Sequence, residues 1–377
     1  MTTESRPRPL RRGALLLLIL AAQFVVFELA LRSWGSSEAA PAFQGLFMDD
    51  PATGFRMKPG ARVRYTTSEF DTQININGAG VRDDEELGPK APDERRIVIL
   101  GDSLVLSVQV PFRQTFGELL EQRLNARGSG VRYRVINAGV QGYGPVQELR
   151  LFQKLGASLQ PDVVIEALFV GNDAEDAFTS RSALSASGRP VARDMRELLL
   201  TRLRRTVRRS MVLQLLRLRL VTATSRFTAR MSTEPPLQSY AADPAPRIAE
   251  GLNLTRECVQ RIADRASELQ ARTALLLMPA RFQLDDADHG RLKQAVRQAG
   301  GELVRDAAST RFRTTLGGLG LPMMDVLEPL RAAPPGPDLF FQQTVHLTPR
   351  GHEVVAEALE RFLLDAGLVN DRQGGTH

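Results

Sequence analysis

Between residues 91 and 370, short runs of Ile, Val and Leu alternate with longer stretches whose apolar residues recur every three or four positions. Arg96–Leu100, Tyr133–Ile136 and Val163–Val170 are apolar at nearly every position, a pattern that suits strands covered on both faces. Thr273–Met278 and Met323–Leu327 predict two further strands. Thr115 with Glu118 makes a capping-box pattern that opens a helix running to about Leu124. Gln147–Leu155, Ile248–Ala271, Asp288–Ser309 and Arg350–Ala366 carry helical periodicity. Strands and helices in this alternation predict an α/β fold, a three-layer sandwich around a mainly parallel sheet. In such sheets the working groups gather at the carboxyl ends of the strands.

Upstream the pattern changes twice. Residues 46–90 hold Pro51, Pro59, Pro89 and several glycines around alternating patches at Ala61–Tyr65 and Thr72–Ile76, which predict short strands and loops. Before them, Ser36–Gly45 reads as a small-residue linker, and Gly13–Leu31 is apolar over a length that can cross a bilayer. Arginines precede that run, so the positive-inside rule leaves residues 1–12 in the cytoplasm and sends the remainder outward. A cleaved signal peptide and a buried soluble helix are the competing readings; no small-x-small site follows the run closely. The expected organisation is a cytoplasmic tail (1–12), one N-terminal transmembrane helix (13–32), a linker and short-strand lead-in (33–90), and a main domain (91–370). The place this implies is the inner (cytoplasmic) membrane, with the main domain periplasmic.

Charge alters one part of this picture. The overall +6 invites a nucleic-acid reading, but it is confined to two segments. Residues 1–12 carry +3, and residues 181–230, with thirteen arginines against Asp194 and Glu197, carry +11; the rest of the chain is therefore −8. A nucleic-acid partner is not expected. Within the arginine-rich insert (178–246), Leu199, Leu203, Val207 and Met211 recur every fourth residue while Arg202, Arg205 and Arg209 share another face. That is a basic amphipathic helix. It packs on the domain surface, touches anionic membrane through residues 195–220, or covers the site. One cysteine, Cys258, excludes an internal disulfide and a cysteine-built zinc site; four histidines leave little for a metal cluster. No metal and no cofactor is expected.

The chemistry follows the strands. Gly101-Asp102-Ser103 comes after the first, Asn137-Ala138-Gly139-Val140-Gln141-Gly142-Tyr143-Gly144 after the second, and Gly171-Asn172-Asp173 after the third. His346-Leu347-Thr348-Pro349-Arg350-Gly351-His352 opens the last helix. A serine, glycine amides, an asparagine and a histidine are the parts of acyl transfer: serine attacks, histidine takes its proton, and donors hold the oxyanion. Each block alone is weak. Ser103 by itself reads as a helix cap, Asn172 as a turn residue, and His352 as a first-turn helix residue. In this order, each at a strand end, they converge.

In these blocks the chain resembles the SGNH hydrolases, the GDSL-type esterases and lipases, over Arg95–Ala366 with the interruption at 178–246. The resemblance implies a flavodoxin-like sheet and assigns Ser103 as nucleophile and His346 as base. It also implies an oxyanion hole built from the Ser103 amide, Gly142 and Asn172. Asn75-Ile76-Asn77-Gly78-Ala79-Gly80-Val81-Arg82 is similar to the lead-in of membrane-anchored bacterial members. One departure stands out. The family's acid lies two or three residues before the histidine, where this chain has Thr344 and Gln343. Either oxygen, or a backbone carbonyl, could orient the ring without supplying the charge. The implied activity is an esterase, acyl hydrolase or O-acyltransferase working on an ester-bearing glycan or lipid of the cell envelope. The alternative is a catalytically retired relative that binds a glycan or an assembly partner.

Overall fold

A computed structural model describes residues 18–19, 22–28, 45–181 and 235–369 of the chain. Residues 39–191 and 233–377 make one compact unit. Residues 1–38 with 192–232 make another, of which only the helical pieces at 18–19 and 22–28 are described. Among the described residues no helix is long and apolar enough to cross a membrane. Most of Gly13–Leu31 and of the arginine-rich insert, including residues 195–220, lies outside the described residues.

The main unit is built on five parallel strands: β5 (Glu94–Gly101), β6 (Arg132–Gly139), β7 (Val163–Phe169), β8 (Arg272–Met278) and β9 (Met323–Asp325). Their order in the sheet is β6-β5-β7-β8-β9. Alternation along the strands divides the core. Ile97, Ile99, Val135, Val163 and Ile165 join Phe116, Leu120 and Leu124 of helix α2 (Phe116–Ala126) and Val355, Leu359 and Leu363 of helix α9 (Pro349–Asp365). Val98, Leu100, Ile136, Ala138 and Val164 pack instead on Leu149 and Phe152 of α3 (Pro145–Leu159) and Cys258 and Ile262 of α5 (Pro246–Glu268). Two covered faces make the three-layer sandwich that the continuous apolar strands demand.

The elements differ from the sequence reading in several places, among them the last strand, which stops at Asp325 before Leu327 opens a helix. Asp288–Ser309 is not one helix: α6 (Asp286–Gln298) stops before Gly300-Gly301, and α7 (Ala307–Gly317) starts afresh. Gly300 takes a left-handed φ of 84°, which ends the helix, and Leu303 then bridges to Ala241. Short helices α1 (Ser103–Leu106), α4 (Asp173–Thr179) and α8 (Leu327–Arg331) hold too few turns to show a period. The lead-in, finally, belongs to the same unit. Its hairpins, β1 (Phe47–Asp50) with β2 (Gly54–Met57) and β3 (Arg62–Thr66) with β4 (Asp71–Asn75), close a third core. There Leu46, Met57, Ile74 and Ile76 meet Leu106, Val108, Val140 and Tyr143 from the turns that follow β5 and β6.

Candidate active site

The turn after β5 presents Ser103. Gly101 ends the strand at φ +153°, and a Cβ there would lie 2.4 Å from Val105 Cγ2 and 2.9 Å from the Ala167 carbonyl. Only glycine lets the strand turn so tightly into α1. Asp102 caps that helix by accepting from the Leu104 amide at 2.8 Å. Asn137, at the end of β6, donates to the Val105 carbonyl at 2.6 Å. Ser103 is thus the partly exposed first residue of a short, buried, well-anchored helix.

His346 comes to it from 243 residues away. Its Nε2 lies 2.9 Å from Ser103 Oγ, within hydrogen-bond distance; in the tautomer with the proton on Nδ1, the neutral ring accepts from the hydroxyl. The histidine sits on a closed loop: the Phe341 amide donates to the His346 carbonyl at 3.0 Å, and Phe340 bridges Leu347. Thr348 then caps α9 through the Gly351 amide. Burial pushes the imidazole down to about 4, so at neutral pH it is uncharged, as a base must be. Its Nδ1 is buried with no hydrogen-bond partner.

The two residues proposed to orient the ring do not bond it. Thr344 Oγ1 accepts from the His346 backbone amide at 3.3 Å, and the exposed Gln343 side chain accepts from Ser68 Oγ at 3.4 Å. The arrangement is a Ser–His dyad. Asp338, the nearest preceding acid, accepts from Gln342 Nε2 at 2.7 Å, and Asp325 meets Arg313; neither serves the histidine. His352 is structural. Its Nδ1 accepts from the Phe116 amide at 3.1 Å and its ring stacks on Phe116, so it joins the starts of α9 and α2. Burial, then the Arg82 charge and His346, push it down to about 3. His289 is half-buried and stacked on Phe282.

The two remaining site candidates follow the strands that flank β5. Gly142 lies exposed in the turn after β6 at φ +73°, a conformation that turns favour in glycine. Asn172 follows β7 at the start of α4. Because β6, β5 and β7 are adjacent, the turns carrying Gly142, Ser103 and Asn172 lie along one carboxyl edge. Asn172 Nδ2 donates to Asp176 Oδ2 at 2.8 Å, which fixes the amide's rotation and leaves its second N–H free to donate. Asp176 had no sequence signature; only the helical i, i+4 spacing from Asn172 would have pointed to it.

Beneath these turns lies a group of buried acids. Burial, reinforced by the charge of Asp176, pushes Asp102 up to about 7, and burial pushes Asp176 up to about 6. Glu166 on β7 and Glu148 on α3 sit within hydrogen-bonding reach of each other; burial raises both, Glu166 to about 7 and Glu148 well above the usual carboxylate range. With both ionised neither would have a donor, so the buried pair keeps at least one proton at neutral pH, held first by Glu148.

No family model matches the chain, and no curated protein does. Among solved structures it is similar to TesA, at 15% identity over 73% of this chain and 100% of that one, with a TM-score of 0.41. It is also similar to the acetyl xylan esterase AlAXEase, at 12% identity over 72% and 98%, TM-score 0.39. A lipase/acylhydrolase from Enterococcus faecalis is a third, at 14% identity over 74% and 100%, TM-score 0.37. The chain's own likeness to the SGNH hydrolases rests on its four blocks, which the fold places together with Ser103 against His346.

Proposed function

We propose that this chain is an SGNH-type serine hydrolase that cleaves or transfers an ester through an acyl-enzyme on Ser103. The single observation that carries the reading is the 2.9 Å contact between Ser103 Oγ and the Nε2 of a neutral His346, made by residues 243 apart in sequence. In the first step Ser103 Oγ bonds to the ester carbonyl carbon as its proton passes to Nε2. The Ser103 amide, the Gly142 amide and Asn172 Nδ2 are the donors for the oxyanion. The tetrahedral species then expels the alcohol, which leaves with the proton from Nε2. Water, or a second hydroxyl, gives up a proton to Nε2 and attacks the acyl carbon; collapse of that tetrahedral species breaks the bond to Ser103 Oγ, which takes the proton back from Nε2 as the acid or new ester leaves.

The apolar run at 13–31 supports placing this domain outside a membrane, where an acylated glycan or a lipid ester of the cell envelope is the substrate class within reach. One observation favours a second reading, a retired enzyme that only binds: His346 Nδ1 has no acid behind it. Ser103→Ala and Asn172→Ala separate the two. The first is expected to abolish hydrolysis of 4-nitrophenyl acetate and labelling by a fluorophosphonate. The second is expected to cost about 10²–10³ in kcat by removing an oxyanion donor. Unchanged hydrolysis in folded Ser103→Ala sinks the hydrolase reading.

A further inference from the structure

The lead-in touches the site at two points, one on each half of the dyad. Arg82, at the end of the Asn75–Arg82 segment, is fully buried. Its guanidinium donates to the carbonyls of Leu106 (2.7 Å), Ser107 and Val110 (2.7 Å), the turn that ends α1. Its backbone amide donates to the Asn137 carbonyl at 3.2 Å, tying it to the residue that holds α1 from the other side. A cation at the carboxyl end of a short helix satisfies carbonyls that the helix itself leaves open. On the other half stands Glu69, in the turn between β3 and β4. Its two carboxylate oxygens accept the backbone amides of Gln342 (2.8 Å) and Gln343 (3.0 Å), three to four residues before His346. Phe70 packs edge-on against Phe341 beside it, with centroids 5.5 Å apart. The core domain holds the opposite side of the same loop, where Arg281, paired with Asp288, donates to the carbonyls of Phe341 and Gln342.

We infer that Arg82 and Glu69 are positioning residues: the lead-in grips the carbonyls behind Ser103 and the amides before His346, and so sets the distance between nucleophile and base. This rests on the hydrolase reading. The physical need is specific to this chain. A histidine with no acid on Nδ1 has lost the contact that usually fixes its ring, so its placement falls to the loop backbone. Glu69 is the only carboxylate, among the described residues, seen to accept that loop's amides ahead of the histidine. Its twin charge-assisted hydrogen bonds bring the geometric definition that a bidentate carboxylate provides.

Glu69 is the better lever, since it lies on the surface and its loss buries no orphaned group, whereas Arg82→Ala would strand three carbonyls. In the full-length chain, hydrolysis of 4-nitrophenyl acetate by Glu69→Ala is expected to fall about 10–10²-fold in kcat, the cost of misplacing a catalytic group by about 1 Å. KM and the thermal midpoint stay near the wild-type values. Glu69→Gln, which keeps one amide acceptor, falls in between. Arg82→Lys, folded but unable to span three carbonyls, shows the same kcat loss. The decisive comparison is made in a His346→Ala background, where removing Glu69 has no further effect on the residual rate because there is no base left to position. Wild-type kcat in Glu69→Ala, or an equal loss with and without His346, overturns the inference while leaving Ser103 chemistry intact. A wild-type chain whose hydrolysis does not depend on Ser103 overturns the hydrolase reading, and this inference with it.

Discussion

Replacing Thr344 by aspartate tests how much the absent acid costs. His346 is held at about 4 by burial, against about 6.5 for a solvated imidazole. At 1.36 kcal/mol per unit, the pocket opposes the imidazolium by about 3 kcal/mol, and that charge must form whenever Ser103 gives up its proton. Full recovery of that energy is worth a factor of about 300 in rate, since each 1.36 kcal/mol is tenfold. The substituted carboxylate starts from the position of Thr344 Oγ1, which bonds the His346 amide, so it must leave that amide to reach Nδ1. Partial recovery, about 10–10²-fold in kcat on a small acetyl ester, is the expected outcome for Thr344→Asp. Gln343→Asp is expected to give no gain. That side chain points outward to Ser68, and a second carboxylate would stand beside Glu69. The assay is steady-state hydrolysis across pH, with the His346 ring followed by NMR titration. His352→Ala serves as the control that loses stability but keeps the base. If Thr344→Asp raises the His346 pKa and kcat does not increase, imidazolium formation does not limit the reaction and the reasoning is refuted.

Two further outcomes are expected. Glu166, raised by burial to about 7, is protonated in the folded chain over a range where the unfolded chain has lost that proton, so its contribution to stability falls as pH rises from about 4.5 through about 7 and is flat above. Glu166→Gln is expected to flatten urea midpoints over that window and raise the midpoint at pH 8; a steeper decline in the variant contradicts the assignment of a proton to folded Glu166. If residues 13–31 are an uncleaved anchor, the mature chain keeps its N-terminus and stays with membranes after a high-salt wash, whereas a mature N-terminus near residue 40 marks a cleaved signal.

The strand positions, helix faces and the four small-polar blocks were readable in the sequence because each depends on local periodicity or on the backbone needs of a strand-to-helix turn, whereas the lateral order of the strands came only with the structure. The apolar run Arg96–Leu100 dictates a strand covered on both faces, and Gly101 is required wherever a strand turns that sharply into a helix. Thr115 with Glu118 marks a helix start whatever surrounds it. Ser103, Gly142, Asn172 and His346 stood out as residue types in small-polar blocks, and their roles were what the resemblance to the SGNH hydrolases implied; His346 lies well beyond the last strand, on the loop before α9. The structure decided what long-range approach alone can decide. Nothing in the order of residues says that His346 reaches Ser103, that Thr344 and Gln343 turn away from its ring, or that Asp176 fixes the Asn172 amide. Glu69 carried no signal at all, and Arg82 stood in a recognisable lead-in segment with no role attached, for a clear physical reason. Each acts on the backbone of a distant loop, and a backbone amide or carbonyl has the same chemistry at every position, so a residue chosen to bind one leaves no complementary letter in the sequence.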